Sequence, residues 1–245
     1  MSAHNKPGAD EDAMAMITGP TPRLGRTLHK IEEYYGRPKP PQFEGPLEMN
    51  LWEVVAYLAD DAQRRMAFEA LRKQVGLTPD KILAAPTELL TEITRMGGSI
   101  AAEERADRLR IAAQLTLDEF GGDLASVLRL PPQKAKRSLM RFPMIGEPGA
   151  EKILMFSGVL PVLALESNGV RVLVRLGIGE DRKSYAATYR SVREATLGQL
   201  PEDCKSLTTA HLLLRQHGQE LCFRNRPACH SCVLNSDCPY FHLHR

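Results

Sequence analysis

Residues 222–238 read CFRNRPACHSCVLNSDC, which sets Cys222, Cys229, Cys232 and Cys238 at the spacing C-x6-C-x2-C-x5-C. The thiolate is a ligand for soft metals, and both a 4Fe-4S cluster and structural zinc accept four of them. Zinc knuckles more often use two close pairs, whereas here only Cys229 and Cys232 are close. The longer approaches of Cys222 and Cys238 suit the wider reach of a cube. The cluster is therefore the favoured reading, zinc the alternative, and a disulfide framework ranks below both. Of the five cysteines, Cys204 stands alone and reads as a packed thiol.

The rest of the 245-residue chain is compatible with an intracellular protein that buries a sizeable core. Hydrophobic residues make up 43% and charged residues 25%, as in ordinary globular proteins. No apolar run is long enough to span a bilayer, and the first residues do not read as a signal peptide. The formal net charge of +2 says little about partners; the distribution of charge says more.

Residues 1–22 are polar, punctuated by Gly and Pro, and read as a disordered arm. A helix over 24–35 and a Pro-rich linker, RPKPPQFEGP, follow. Helical signals then dominate. One helix is expected to begin around Trp52 and a second to span 64–75; Thr78-Pro79-Asp80 and Pro86-Thr87-Glu88 mark two more starts. A charged, Ala-rich helix is expected over 103–115. Few stretches alternate with period two, so the fold class is all-α.

Two further stretches carry chemistry. Helices expected over 133–141 and 151–158 flank the turn FPMIGEPGA, residues 142–150. A helix N-terminus of this kind can grip phosphate through its N–H groups. The approach to it, 129–141, contains Arg129, Lys134, Lys136, Arg137 and Arg141 and no acid, although a solvated helix face reads the same way. Downstream, Glu166-Ser167-Asn168 lead into a helix with Val170, Leu173 and Val174 at helical spacing. A carboxylate at a helix start is favoured by the helix dipole, and a fixed anion can stabilise a sugar cation or orient a water. A plain capping cluster would look similar.

Taken together, these stretches resemble the helix-hairpin-helix (HhH-GPD) superfamily of DNA glycosylases, in its endonuclease III-like branch with a C-terminal iron–sulfur loop. The cysteine spacing is that branch's spacing. Residues 142–150 resemble its L-P-G-[IV]-G-x-x-x-A hairpin, and residues 164–175 its catalytic stretch. His211, His217-Gly218 and Pro239-Tyr240 fit as well. The likeness covers roughly 50–240.

The resemblance implies two helical lobes around a DNA-binding cleft. Residues 23–49 and 159–221 would belong to the lobe of the cluster, 50–158 would form a multi-helix lobe with the hairpin, and 222–245 would form the cluster loop. The partner implied is double-stranded DNA carrying damage or a mismatch, with the target base flipped out of the stack. Met144, Gly146, Gly149, Lys136, Arg137, Arg224 and Arg226 are then the expected DNA contacts, and Glu166, Asn168 and Lys152 the catalytic candidates. The implied setting is a cytoplasmic, nucleoid-associated monomer.

Departures from the pattern shape the expected chemistry. The position of the lysine that makes bifunctional members lyases is Pro148, which has no amine; Lys152, one turn on, is the substitute to consider. Glu166 replaces aspartate, and Asn168 matches the helper asparagine of monofunctional adenine-mismatch enzymes. Their second, N-terminal acid has no evident counterpart. Met144 replaces the first hairpin glycine. After Leu58, where the family carries a hole-filling glutamine loop, the chain reads Ala59-Asp60-Asp61 and is expected to be shorter and hostile to DNA. The function expected is a monofunctional DNA glycosylase in base excision repair. The alternatives are a catalytically impaired DNA-binding protein of the same fold and a zinc-stabilised helical interaction module.

Overall fold

A computed structural model describes residues 23–244. The arm expected over 1–22 falls outside the described residues. Every regular element among those described is helical, in agreement with the all-α reading.

The first helix, α1 (Arg23–Tyr35), buries Leu24, Leu28 and Ile31 along one face. That stripe packs on segments from the far end of the chain: α9 (Ser167–Arg175), α10 (Tyr185–Thr196) and α11 (Cys204–Glu220). Leu173, Leu213, Leu214 and Leu234 share the core, so the two chain ends build one lobe. Each fully buried leucine contributes roughly 2 kcal/mol to holding the ends together.

Between them, α2 (Pro46–Val54), α3 (Asp61–Gln74), α4 (Pro79–Ala84), α5 (Thr87–Met96) and α6 (Ala102–Phe120) enclose a second core with Leu51, Phe68, Leu71, Ile93 and Leu109 at its centre. A third core, around Val127, Leu139, Phe142 and Leu154, holds α7 (Pro132–Leu139) and α8 (Glu147–Phe156) beside it. The chain closes with two single 3-10 turns through the cysteines and the short α12 (Pro239–Leu243).

Three helix starts differ from expectation, two through a first-turn proline and one through a capping box. Helix α2 begins at Pro46 rather than near Trp52, because proline's fixed φ suits the first turn. Glu48 reaches back to accept the Glu44 N–H at 3.1 Å. Likewise α8 begins at Glu147 with Pro148 in its first turn, so residues 147–150 are helix rather than turn. Helix α3 begins at Asp61 instead of residue 64. Asp60 caps it in a reciprocal box, accepting the Gln63 N–H at 2.8 Å while the Gln63 side chain accepts the Asp60 N–H at 3.3 Å.

Candidate active site and cysteine loop

Glu166 is the N-cap of α9, with extended backbone, and its Oε1 accepts the Gly169 N–H at 2.9 Å. Its Oε2 accepts Asn168 Nδ2–H at 2.7 Å. An ionised carboxylate offers about four acceptor directions. Two are thus spent on orientation, leaving the others for a water or a developing cation. Asn168 is held in turn: its Oδ1 accepts from Arg171 Nη2 at 2.7 Å. Arg171 also donates to the carbonyls of Gly218 at 2.7 Å and Cys222 at 2.8 Å. A hydrogen-bonded path therefore runs from the Glu166 carboxylate to the backbone of the first cysteine. Here α9 and α11 approach so closely that a Cβ on Gly218 would lie 2.7 Å from the Asn168 Cβ.

The four cysteines line one small cavity, together with Arg175, His217 and Leu234. Arg175 fastens the loop, donating to Phe223 O at 2.7 Å and Arg224 O at 3.0 Å, with Nη1 3.3 Å from Cys222 Sγ. Its guanidinium also lies 4.4 Å from the Tyr240 ring centroid. The Leu234 N–H donates to Cys232 Sγ at 3.4 Å, and His217 Nε2 lies 3.5 Å from the same sulfur. Burial pushes His217 down to about 4, which keeps it neutral at physiological pH. Among the described residues, no three His, Cys, Asp or Glu side chains converge closely enough to hold a single metal ion. Four sulfur donors, an N–H to sulfur and a neighbouring guanidinium fit a polynuclear cluster.

The hairpin is more altered than the cysteine loop. Met144 occupies the left-handed region, φ 63°, where a side chain costs roughly 1–2 kcal/mol. The turn is braced from below by Asn50, whose Nδ2 donates to Pro143 O at 2.8 Å. Gly146 is the N-cap of α8 and Gly149 packs on Ile145 within its first turn. Pro148 withdraws one N–H from that end.

Lys136 is a correction. Rather than facing solvent, it donates to Glu147 Oε1 at 3.0 Å and Glu151 Oε1 at 3.2 Å, with its side chain only 14% exposed. Glu151 is fully buried and also accepts from Tyr189 Oη at 2.5 Å. A buried carboxylate needs a counter-charge, and Lys136 supplies it, so this lysine is not free for a phosphate. Burial would lower its own pKa, but the two carboxylates outweigh burial and raise it. Arg137, Arg224 and Arg226 remain exposed.

Lys152, the substitute amine considered from sequence, is ion-paired with Glu53 of α2. Arg64 stands 3.8 Å from the same carboxylate. Burial would raise the Glu53 pKa, yet Lys152 and Arg64 together hold it below the usual carboxylate range. Beside it, Asp61 pairs with Arg215 of α11. His211, buried and facing Lys152, is pushed down to about 3 and is therefore neutral, with Nδ1 2.6 Å from Ala164 O. Asp60 and Asp61, read from sequence as acids hostile to DNA, thus cap a helix and join two lobes.

No family model matches the chain. Among curated proteins, endonuclease III of Thermotoga maritima is 23% identical over 168 residues, covering 69% of this chain and 71% of its own. Endonuclease III of Rickettsia prowazekii is 24% identical over 219 residues, covering 87% of this chain and 95% of its own. A solved non-covalent endonuclease III–DNA complex superposes with a TM-score of 0.72 at 20% identity, over 89% of this chain and 95% of that one. The chain is thus similar in sequence to endonuclease III and shares its all-helical fold. No helix among the described residues is long and apolar enough to cross a membrane.

The least expected feature of the chain is its loop between α2 and α3. Leu58 forms the tip, φ 49° and 77% exposed. The loop is bonded to the one between α5 and α6, through Tyr57 N–H to Gly97 O at 3.1 Å. The second loop carries Ile100, 51% exposed. Beneath both lies Arg105, fully buried, which donates to Val55 O at 2.7 Å, Gly97 O at 3.2 Å, Ile100 O at 3.2 Å and Gly98 O. Sequence reasoning missed Glu53, Arg105 and Arg215. The only signal available was charge inside otherwise apolar helical faces.

Proposed function

We propose that this protein is a DNA glycosylase of base excision repair that hydrolyses the N-glycosidic bond of a flipped base in damaged or mismatched duplex DNA, without a lysine-dependent lyase step. The observation that carries this is Glu166, an anion whose two oxygens are each held by a local donor at the end of a helix. As the bond breaks, its electron pair leaves with the base and positive charge develops on the sugar. Glu166 stabilises that charge and takes the proton of the water whose oxygen adds to C1′. Asn168 and Arg171 keep the carboxylate in place. The lyase step needs a free amine; Pro148 has none, and Lys152 is engaged by Glu53. The setting proposed is the cytoplasm, with the protein acting on the nucleoid as a monomer.

The cofactor proposed is a 4Fe-4S cluster held by Cys222, Cys229, Cys232 and Cys238. The C-x6-C-x2-C-x5-C spacing, with only Cys229 and Cys232 close in sequence, favours the cluster over a single zinc, and all four cysteines line one cavity. When bound, the cluster supplies structural cohesion to the loop that carries Arg224 and Arg226, both suited to phosphate.

A panel of lesion-bearing duplexes, incubated with protein and then treated with alkali, tests the reading. At least one substrate should give alkali-labile sites, without strand cleavage before alkali. Cleavage before alkali would sink the lyase-free reading. No labile sites on any duplex, with DNA binding intact, would favour a binding-only protein.

Opening a duplex leaves a hole, and apolar side chains can fill it. Leu58, with Ile100 on the partnered loop, is the proposed filler. Leu58→Asp is expected to slow excision from duplex by about tenfold or more, since unstacking costs a few kcal/mol per step. Excision from single-stranded substrate should change little. Equal slowing on both would refute the role.

A further inference from the structure

A second cleft lies on the outer face of α9. Ser167, Val170 and Val174 form its floor; Tyr185 and Arg182 form one wall, and Tyr240 stands on the other. It offers about 650 Å³, within the roughly 300–1,000 Å³ usual for small-ligand pockets, and is open to solvent along part of its edge. Its openness leaves room for a chain to enter and leave, so the lining, not the size, decides the occupant.

The lining specifies which chain. Tyr240 is already sandwiched, with the Arg175 guanidinium 4.4 Å from its centroid and the His244 ring stacked at 4.1 Å. It is a fixed wall. Tyr185 is the open platform: it is 49% exposed, and its ring makes only a tilted contact with Tyr189 at 6.4 Å. Burial first, and the charge of Glu166 second, push its phenol up to about 12. The ring is thus neutral and stands within the field of Glu166. Around the rim, Arg182 is paired at 2.6 Å with Glu180 on the surface. Arg224, at the edge of the cysteine loop, makes no ion pair among the described residues. The cleft's one acid, Asp181, is within 3.1 Å of the Thr188 hydroxyl, which donates to it. An apolar floor, one open aromatic face and guanidinium groups at the rim match a nucleobase with its flanking phosphates.

We propose that this cleft binds single-stranded nucleic acid, stacking one unpaired base on Tyr185 and holding its phosphates with Arg182 and Arg224. The claim goes beyond the glycosylase reading and concerns binding alone, so it stands whether or not Glu166 is catalytic. Because Ser167 lies at the cleft's floor, the bound strand runs beside the Glu166 site. Bulged, frayed or tailed DNA is the class of substrate this geometry would hold best.

Fluorescence anisotropy with the full-length, metal-loaded protein tests it, using a blunt duplex and the same duplex with a single-stranded thymidine tail. The tail should improve affinity by about tenfold, as one aromatic stack would. Tyr185→Ala and R182E should each remove most of that gain and leave blunt-duplex affinity unchanged; Tyr185→Phe should keep it. Both positions are at the surface, and helical content by circular dichroism should match the parent. A tail that confers nothing would overturn the proposal. So would variants that weaken blunt and tailed duplexes equally, which would make the cleft part of the duplex surface.

Discussion

Glu166→Gln is expected to lower the excision rate by about a thousandfold, the scale on which one preorganised charge or donor acts in such sites. Glutamine keeps the length and the carbonyl that accepts the Gly169 N–H, so the start of α9 survives. It loses the negative charge that the departing base demands at C1′. It also presents an amide where Asn168 Nδ2 now donates at 2.7 Å, turning one fixed contact into a donor–donor clash unless the side chain rotates. DNA affinity should stay within about threefold, because uniform binding does not depend on a group acting only in the transition state. Single-turnover excision and anisotropy on one lesion duplex separate the two quantities. Retention of a tenth or more of the rate would remove Glu166 from the chemistry. Glu166→Asp is the informative companion: it restores the charge but withdraws it by a methylene, so its rate reports how closely the backbone has been tuned to glutamate.

What the sequence disclosed follows from how local each signal is. The cysteine loop is legible because its ligands lie within one short stretch, and metal chemistry tolerates few spacings. The cap at Glu166 is legible for the same reason, as the bond to Gly169 spans three residues. Lys136 was misplaced because a basic helix face looks the same whether it meets solvent or a buried carboxylate. Its partner Glu151 is fifteen residues away and hidden by apolar neighbours. Glu53 and Lys152 are ninety-nine residues apart, and Asp61 and Arg215 farther still; no periodicity announces such pairs. The proline errors are different. Pro79 reads from sequence as a first-turn residue and is one, while Pro46 and Pro148 read as linker and turn yet open helices. Proline begins helices and fills loops equally well, and only the side chains that satisfy the next turn decide which.

Arg105→Met is expected to be the most destabilising single change outside the cores, by roughly 3–5 kcal/mol, because hydrogen bonds to a charged group contribute about 1.5–3 kcal/mol each and buried carbonyls would be left without donors. The guanidinium is fully buried, with no carboxylate beside it among the described residues. Its charge is balanced only by the carbonyls of Val55, Gly97, Gly98 and Ile100. Methionine fills comparable volume but offers nothing to those oxygens. The loops cannot close over the gap either: a Cβ on Gly97 would already lie 2.4 Å from Val55 O, so the backbones are at their limit of approach. A protein of this length loses about 2–4 °C per kcal/mol, which puts the fall in Tm near 10 °C. Arg105→Lys keeps the charge but has a single donor group, and should lie between. The same change should loosen the loops that carry Leu58 and Ile100. Proteolysis between residues 56 and 60 should therefore quicken at temperatures where the parent is intact. A Tm within about 2 °C of the parent would mean that those carbonyls find other donors, and that the paired loops do not depend on Arg105.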